Sequence, residues 1–390
     1  MLFQNFFVSL QAKSCAHAKR RHKNFEIQKM SINIDILEED ILKLDKEVLE
    51  RLLWDHSRQK DKDKQGVEQH HHIYWATDNY QAEGEGFGFF DEITIPHITG
   101  QYSRLVRPRA AKSKEEQDRR TKEKAEVFTP SWVCNAQNNM IDEAWFDWDK
   151  NEHNGESIFN TEFPNHTWMP RLGNIPFPTK DGKTWIDYVS DTRLEITCGE
   201  APYLVSRYDT TTGQPIEDLN MRIGLLDRKL RVVSENVNST ADWINYAKLA
   251  LKSTYGFEWQ GDNLLLAREA ILFTFIDFYE AFCYKIGMSN VTPPVELIKT
   301  VAYIISWNIF QMDGIKMVLP MTCHEEIIKG SSDLTLFETV VTPDKIVPCA
   351  GCKKNNPHLH NGVHQVIADW DLENDEPIEI VEFHTLMKND

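Results

Sequence analysis

The chain has 390 residues, 41% of them hydrophobic and 26% charged, and a formal net charge of −17. This composition is that of a soluble globular protein long enough for roughly two or three domains. Its acidity excludes nucleic-acid binding through the average field, so any such contact must come from a local patch. No apolar run reaches the ~18 residues of a membrane-spanning helix, and no membrane partner is expected. The seven cysteines are odd in number, irregularly spaced and without an export signal, which predicts free thiols in a reducing cytoplasm.

Residues 1–30 are expected to be a disordered extension. Residues 1–8 are apolar, but the basic cluster Lys19-Arg20-Arg21-His22-Lys23 follows them, the wrong order for a secretory signal. Met30 is a natural alternative start. Residues 31–124 are expected to form an N-terminal, mainly helical region and a basic linker. Leu37, Ile41, Leu44, Val48, Leu49, Leu52 and Leu53 recur at helical spacing, whereas residues 54–68 are charged and lack an apolar face. The triplet His70-His71-His72 fits a surface or sheet edge better than a metal site, because adjacent histidines cannot all face one ion. Glu83-Gly84-Glu85-Gly86-Phe87-Gly88 is a Gly-rich turn without the strand-then-helix frame of a phosphate loop. From Arg104 to Lys124, nine Lys or Arg stand against four Asp or Glu. That stretch is the best candidate for a nucleic-acid contact, with a solvated, partly helical linker as the simpler account.

Residues 131–147 have helical spacing, and 150–184, rich in Asn, Pro and Gly, suggest loop. Residues 185–189 lead into a strand at 193–197. Helices follow at 241–254 and 262–286, with a short strand at 255–259 before the second, and a further helix at 295–309. Beyond 320 the chain is irregular until a strand within 363–370. The alternation predicts an α/β fold over 125–320, followed by an irregular, Cys- and His-containing segment over 321–390.

Three places carry chemistry. Leu194-Glu195-Ile196-Thr197-Cys198-Gly199-Glu200-Ala201-Pro202 is a strand ending in an acid and then a Cys-Gly turn. Doubly wound sheets bind ligands at the carboxyl ends of strands, beside such turns. The glycine lets the backbone approach a ligand, and the acid can hold the ammonium group of an amino-acid-type cofactor, directly or through water. Tyr255-Gly256-Phe257-Glu258 puts a second acid where two carboxylate oxygens can meet two ribose hydroxyls, with Asp262 as a cap for the next helix. The apolar segment Ile304-Ile305-Ser306-Trp307-Asn308-Ile309-Phe310-Gln311-Met312-Asp313-Gly314 ends in a third acid and a glycine, the acid able to accept from an adenine amino group. Each has a plainer account: a single-glycine turn, a solvent-facing acid, an Asp-Gly turn. In this order they describe a cleft for a nucleotide-type cofactor.

Ala125-Glu126-Val127-Phe128-Thr129-Pro130-Ser131-Trp132-Val133-Cys134 resembles the Phe-Thr-Pro element upstream of the cofactor motif in adenine-specific DNA methyltransferases. Glu195 to Ala201 resembles that family's first motif, Asp-Pro-x-Cys-Gly-x-Gly. The chain is similar in particular to restriction-modification methylase subunits, through Tyr74-Trp75-Ala76-Thr77-Asp78, the block from Arg222 to Val233, the block from Tyr255 to Arg268, and Trp307 to Gly314. The resemblance implies an incomplete Rossmann-like sheet of the S-adenosylmethionine (SAM)-dependent methyltransferase type over 125–320, with DNA as partner. It also implies a SAM site made of Phe128, Thr129, Pro130, Glu195, Thr197, Cys198, Gly199, Glu200, Glu258 and Asp313. Glu195 departs from the family's Asp, and Ala201-Pro202 from its last glycine.

The family's Asn-Pro-Pro-Tyr or Asn-Pro-Pro-Phe motif holds the amine of a flipped-out adenine and stacks an aromatic ring on the base. No such tetrapeptide occurs; Asn356-Pro357-His358 is the nearest match. No catalytic residue is therefore assigned. The expectation is a SAM-binding part that is inactive alone, with Met387-Lys388-Asn389-Asp390 resembling the strand that leads into the motif. DNA would be met through a missing or separate target-recognition region. The alternative is a non-catalytic subunit or split-gene half that needs a partner chain or downstream gene product. A nuclease subunit is disfavoured by the lack of an acid cluster ending in Glu-x-Lys.

Cys349-Ala350-Gly351-Cys352 provides two thiolates at the spacing of half a zinc site, and His358 and His360, with His364 beyond, are near enough in sequence to complete it. A polar loop with incidental Cys and His is the other account. Such a zinc would be structural.

Overall fold

The computed structural model describes residues 36–387 apart from 63–65, 67, 125, 178–181, 331, 335–338, 342–343 and 372–373. The expected extension 1–30 and residues 388–390 lie outside the described residues. The apolar repeat near the start forms two helices rather than one, α1 (Glu38–Leu44) and α2 (Lys46–Leu53). Asp45 divides them. Its backbone is extended, and its carboxylate accepts Glu47 N at 2.8 Å, capping α2. Ile41, Val48, Leu49, Leu52 and Leu53 are all buried. The charged stretch that follows contains Trp54–Asp55, paired antiparallel with His71–His72, and His70 stacks on Trp54 with ring centroids 3.7 Å apart.

Helix α3 (Lys114–Lys124) lies in the basic stretch, and α4 (Ser131–Phe146) follows the Phe-Thr-Pro element. The segment expected as loop holds a hairpin, β1 (Asn160–Phe163) against β2 (Thr167–Pro170). Four-residue strands among Asn, Pro and Gly leave too short a pattern to see in sequence. Helix α5 (Trp185–Ser190) starts with a reciprocal cap between Thr184 and Asp187.

The central unit is β3 (Arg193–Ile196), α6 (Leu225–Asn236), α7 (Thr240–Lys252), β4 (Thr254–Glu258), α8 (Gly261–Lys285), α9 (Val295–Asn308) and β5 (Ile309–Gln311). The strands form a parallel sheet in chain order, β3-β4-β5, with Ile196 opposite Phe257 and Phe257 opposite Phe310. Parallel crossovers are nearly always right-handed, so two crossovers stepping in the same direction carry their helices to the same face. That helical layer is the main core. Leu264, Leu265, Ile271, Leu272 and Phe275 of α8 are buried with Leu226 and Leu230 of α6, Trp243 of α7 and Ile304 of α9; each such leucine contributes about 2 kcal/mol through burial. Arg268 pins the layer to α2. Its guanidinium donates to the carbonyls of Ile309 (2.7 Å), Leu52 (2.6 Å), Trp54 (3.0 Å) and Ser306 (3.0 Å).

The opposite face is covered differently. Phe257, Phe310, Met312 and Met317 form a small second core against Ile367 and Phe383. Ile367 belongs to β6 (Val366–Trp370), which pairs antiparallel with β7 (Pro377–Glu382). This cover stops short of β3. Leu194 and Ile196, neighbours on one face, are 42% and 66% exposed, and among the described residues β3 pairs only with β4. The fold is therefore mixed α/β with a small, open parallel sheet. No described helix is long and apolar enough to cross a membrane.

Candidate cofactor site

β3 ends where the backbone leaves extended space. Thr197, Gly199 and Ala201 have φ of +52°, +54° and +60°. A β-branched residue is rare in this region, and such strain collects at functional sites. A Cβ on Gly199 would lie an ordinary 3.5 Å from the Phe128 ring, so it is the backbone angle, not crowding, that calls for glycine there. The turn folds onto the end of β4: Cys198 N donates to Phe257 O at 2.8 Å, and Gly199 N to Glu258 Oε2 at 2.9 Å.

Beside this turn is a cavity of about 670 Å³, within the usual range for small-molecule sites. Its wall includes Phe128, Thr129, Glu195, Thr197, Cys198, Gly199 and Glu258, seven residues singled out in the sequence. Pro130 is not on the wall; it precedes α4, whose first residue, Ser131, donates its N–H to Asp209 Oδ2 at 2.7 Å. Glu200 is not on it either. Its carboxylate turns to Arg109 N and the Tyr208 hydroxyl, each at 2.6 Å. Asp313 is likewise off the wall, because its Oδ1 accepts Ile315 N and Lys316 N at 3.0 and 3.1 Å and closes its own turn.

The electrostatics of the wall are one-sided. Glu126, Glu195 and Glu258 line it with no Lys or Arg among the lining residues. Burial pushes Glu195 well above the usual carboxylate range, and nearby Glu258 adds to this. Burial also raises Glu258, against the pull of its backbone donors Gly199 and Gln260. The Cys198 thiol is pushed up by burial too and is a neutral, inert group. Glu195 Oε1 accepts Tyr203 N at 3.4 Å, whereas Oε2 is buried without a partner. Gln260 Oε1 and Asn263 Oδ1, also on the wall, are buried acceptors without partners.

Sequence reasoning did not assign Ala76, Phe89, Tyr203, Trp259, Gln260 or Asn263 to the cofactor site. Tyr74-Trp75-Ala76-Thr77-Asp78 reaches the site from far upstream. Trp259 Nε1 donates to Ala76 O at 3.1 Å, and Gly261 N to Trp75 O at 3.0 Å. A Cβ on Gly261 would come within 2.2 Å of Tyr74 O, so only glycine permits this approach. The Gln311 side chain completes the bracket: Oε1 accepts Tyr74 N at 3.1 Å, and Nε2 donates to Tyr74 O (2.8 Å) and Trp259 O (2.9 Å).

The basic stretch packs behind the same wall. Arg120 is buried, with Nη2 bound to Glu126 Oε1 (3.0 Å) and Asp262 Oδ2 (2.7 Å), while Tyr80 OH donates to Asp262 Oδ2 at 2.7 Å and Asn263 Nδ2 to Glu126 Oε1 at 3.0 Å. Arg109 lies 5.3 Å over the Phe128 ring. The stretch is partly helical, as expected, but Arg120 belongs to the interior and not to a solvated basic face.

A larger cavity, about 780 Å³, is framed by Trp54, His56, His70, Tyr303 and Trp307 and holds none of the expected site residues. Its rings already stack on one another, His56 on Trp307 at 3.8 Å and His70 on Trp54 at 3.7 Å. The smaller cavity is the better site, because it sits at the strand ends and carries unpartnered acceptors.

In the C-terminal segment, Cys349 precedes the short helix α10 (Ala350–Lys354). Cys349, Cys352 and His360 come together as expected, but the fourth member is Cys323 and not His358. The His358 ring lies 5.3 Å from that of His384 instead. Comparison with known proteins gave no match to a family model, to a curated protein or to a solved structure.

Proposed function

We propose that this chain is the SAM-binding part of an adenine-specific DNA methyltransferase of the restriction-modification type. The observation that carries the reading is the acidic wall at the strand ends, with Glu195 Oε2 buried and unpartnered. Buried charge without a counter-charge is costly, so the cavity favours a ligand that brings positive charge and hydrogen-bond donors. SAM brings an ammonium, a sulfonium, ribose hydroxyls and an adenine amine, and the chemistry it supplies when bound is an electrophilic methyl group. Glu195 would take the ammonium. Glu258 would take the ribose hydroxyls, in exchange for its backbone donors. Gln260 and Asn263 are the acceptors left for the adenine amine, and Phe128 offers an aromatic face. Three strands in chain order, with their helices on one face, are half of a doubly wound sheet, which supports an incomplete Rossmann-like fold of the methyltransferase type.

A second reading adds to the first. The uncovered face and free edge of β3 favour a chain that works with a partner, which would supply further strands and the Asn-Pro-Pro-aromatic loop. Isothermal titration tests the donor site. Wild-type protein is expected to bind SAM, to bind S-adenosylhomocysteine (no sulfonium charge) more weakly, and to lose tenfold or more in affinity on Glu258→Ala, about 1.4 kcal/mol or more. Folded protein that binds neither ligand, or an unchanged Glu258→Ala variant, would overturn the assignment.

A further inference from the structure

We propose that Cys323, Cys349, Cys352 and His360 bind one structural zinc ion, independently of the SAM site. His360 Nδ1 lies 3.3 Å from Cys323 Sγ, 3.6 Å from Cys349 Sγ and 3.7 Å from Cys352 Sγ, and all four ligand atoms are within 4.8 Å of one another. A ring nitrogen has one proton or one lone pair to offer, so three sulfurs gathered round it are not a hydrogen-bonded cluster. A tetrahedron with Zn–S of about 2.3 Å and Zn–N of about 2.0 Å has sulfur–nitrogen edges of about 3.5 Å. The observed separations bracket that value.

The backbone is shaped for the same end. Cys349 sits at the N-cap of α10 with Cys352 in its first turn, the local geometry that aims two sulfurs at one point. Asn361 N donates to Cys349 Sγ at 3.4 Å, a contact that steadies a thiolate. A Cβ on Gly351 would lie 2.5 Å from His360 N and 2.6 Å from its ring, so glycine is needed for His360 to close over the helix. Cys323 is brought in separately: Leu319 N donates to Val363 O at 2.8 Å, and Val363 N to Thr322 Oγ1 at 3.1 Å. Four protein ligands leave no open position, which defines a structural and not a catalytic ion. The ion would tie the turn after β5 to the approach to β6, two segments already joined by backbone bonds from Leu319 N to Val363 O and from Gln365 N to Met317 O.

The test is elemental analysis of the full chain purified without chelator, with cobalt(II) substitution as a second measurement. One zinc per chain is expected, with the intense visible bands of tetrahedral cobalt thiolate after exchange. His358→Ala should keep full occupancy, whereas Cys352→Ser, at an exposed position that tolerates the change, and Cys323→Ser should each lower it at least tenfold at limiting metal. Folded wild-type protein that retains no zinc and gives no cobalt bands would overturn the proposal. So would a Cys349–Cys352 disulfide found by mass spectrometry, or metal lost with His358→Ala but kept with Cys323→Ser. SAM titration on the same samples separates this outcome from failure of the cofactor site.

Discussion

Two buried acids, Glu195 and Asp262, respond to pH in opposite directions. Glu195 has its pKa raised by burial. Its protonated form is therefore favoured by the fold, and the stability it contributes is present below the unfolded pKa and lost as pH rises through the raised value. Burial works against the charge of Asp262 as well, but the Arg120 guanidinium, Lys112 and the Tyr80 hydroxyl together outweigh it and hold that carboxyl at about 2. Asp262 thus contributes stability above its unfolded pKa, lost as pH falls through about 2. Glu195→Gln is accordingly expected to raise the melting temperature at about pH 8, to leave it unchanged near pH 4, and to weaken SAM binding. Thermal denaturation at both pH values, with titration at the higher one, checks this; a variant less stable than wild type at the higher pH would refute the sign. Glu195 and Glu258 were legible in the sequence because a strand, an acid and a turn are local features. Asp313 shares that local pattern, yet its carboxylate is spent on its own turn. Cys323 was illegible for the converse reason: no spacing rule joins it to Cys349, and it is long-range bonds, Leu319 N to Val363 O and Val363 N to Thr322 Oγ1, that bring it there.

At the scale of elements, helix periods survived well. Helices α4, α7, α8 and α9 fall within a residue or two of the spans their apolar spacing predicts. What failed was charge. The stretch containing α3 looks solvated in sequence, but Arg120 reaches inward to Glu126, on the loop just after α3, and to Asp262, far along the chain on the first turn of α8. Composition cannot report a partner so far along the chain. Arg120→Leu would leave both carboxylates buried without their cation, and breaking a buried pair in this way costs about 3–5 kcal/mol. Denaturant unfolding should show that loss, and titration should show weakened SAM binding, since Glu126 and Asn263 are both in this network and on the cavity wall. A loss under about 1 kcal/mol would mean that solvent reaches the network after all.

For the whole molecule, the direction of the sheet matters most. All its crossovers step one way, so one face receives four helices and the other only the β6–β7 hairpin and the short turn after it. Leu194 is left partly exposed on that second face. Leu194→Lys should change stability by no more than about 0.5 kcal/mol, as exposed substitutions generally do, and should leave SAM affinity intact. If a partner completes the sheet at this face, the same change should abolish DNA methylation reconstituted with the neighbouring gene product. Methylation that appears with the partner and persists in Leu194→Lys would place the partner elsewhere. The α/β class was foreseeable from the alternation of periods; the third strand was not, because its three residues follow a helix directly and share its apolar run. The uncovered face was not, because exposure of an apolar strand residue depends on what else the chain packs there.

The bracket formed by Gln311 has a consequence for how the cavity can change over time. One carboxamide accepts from Tyr74 and donates to both Tyr74 and Trp259, so it behaves as a spare peptide unit sewn between two stretches of chain. Both halves of the amide are needed. A carboxylate of the same size would face two carbonyl oxygens with nothing to offer them. The upstream segment is thus held to Trp259, just past the end of β4, by a bond set that admits no conservative replacement. Drift at this one position would remove three bonds at once and leave Trp259 Nε1 to Ala76 O and Gly261 N to Trp75 O to keep the upstream segment in place.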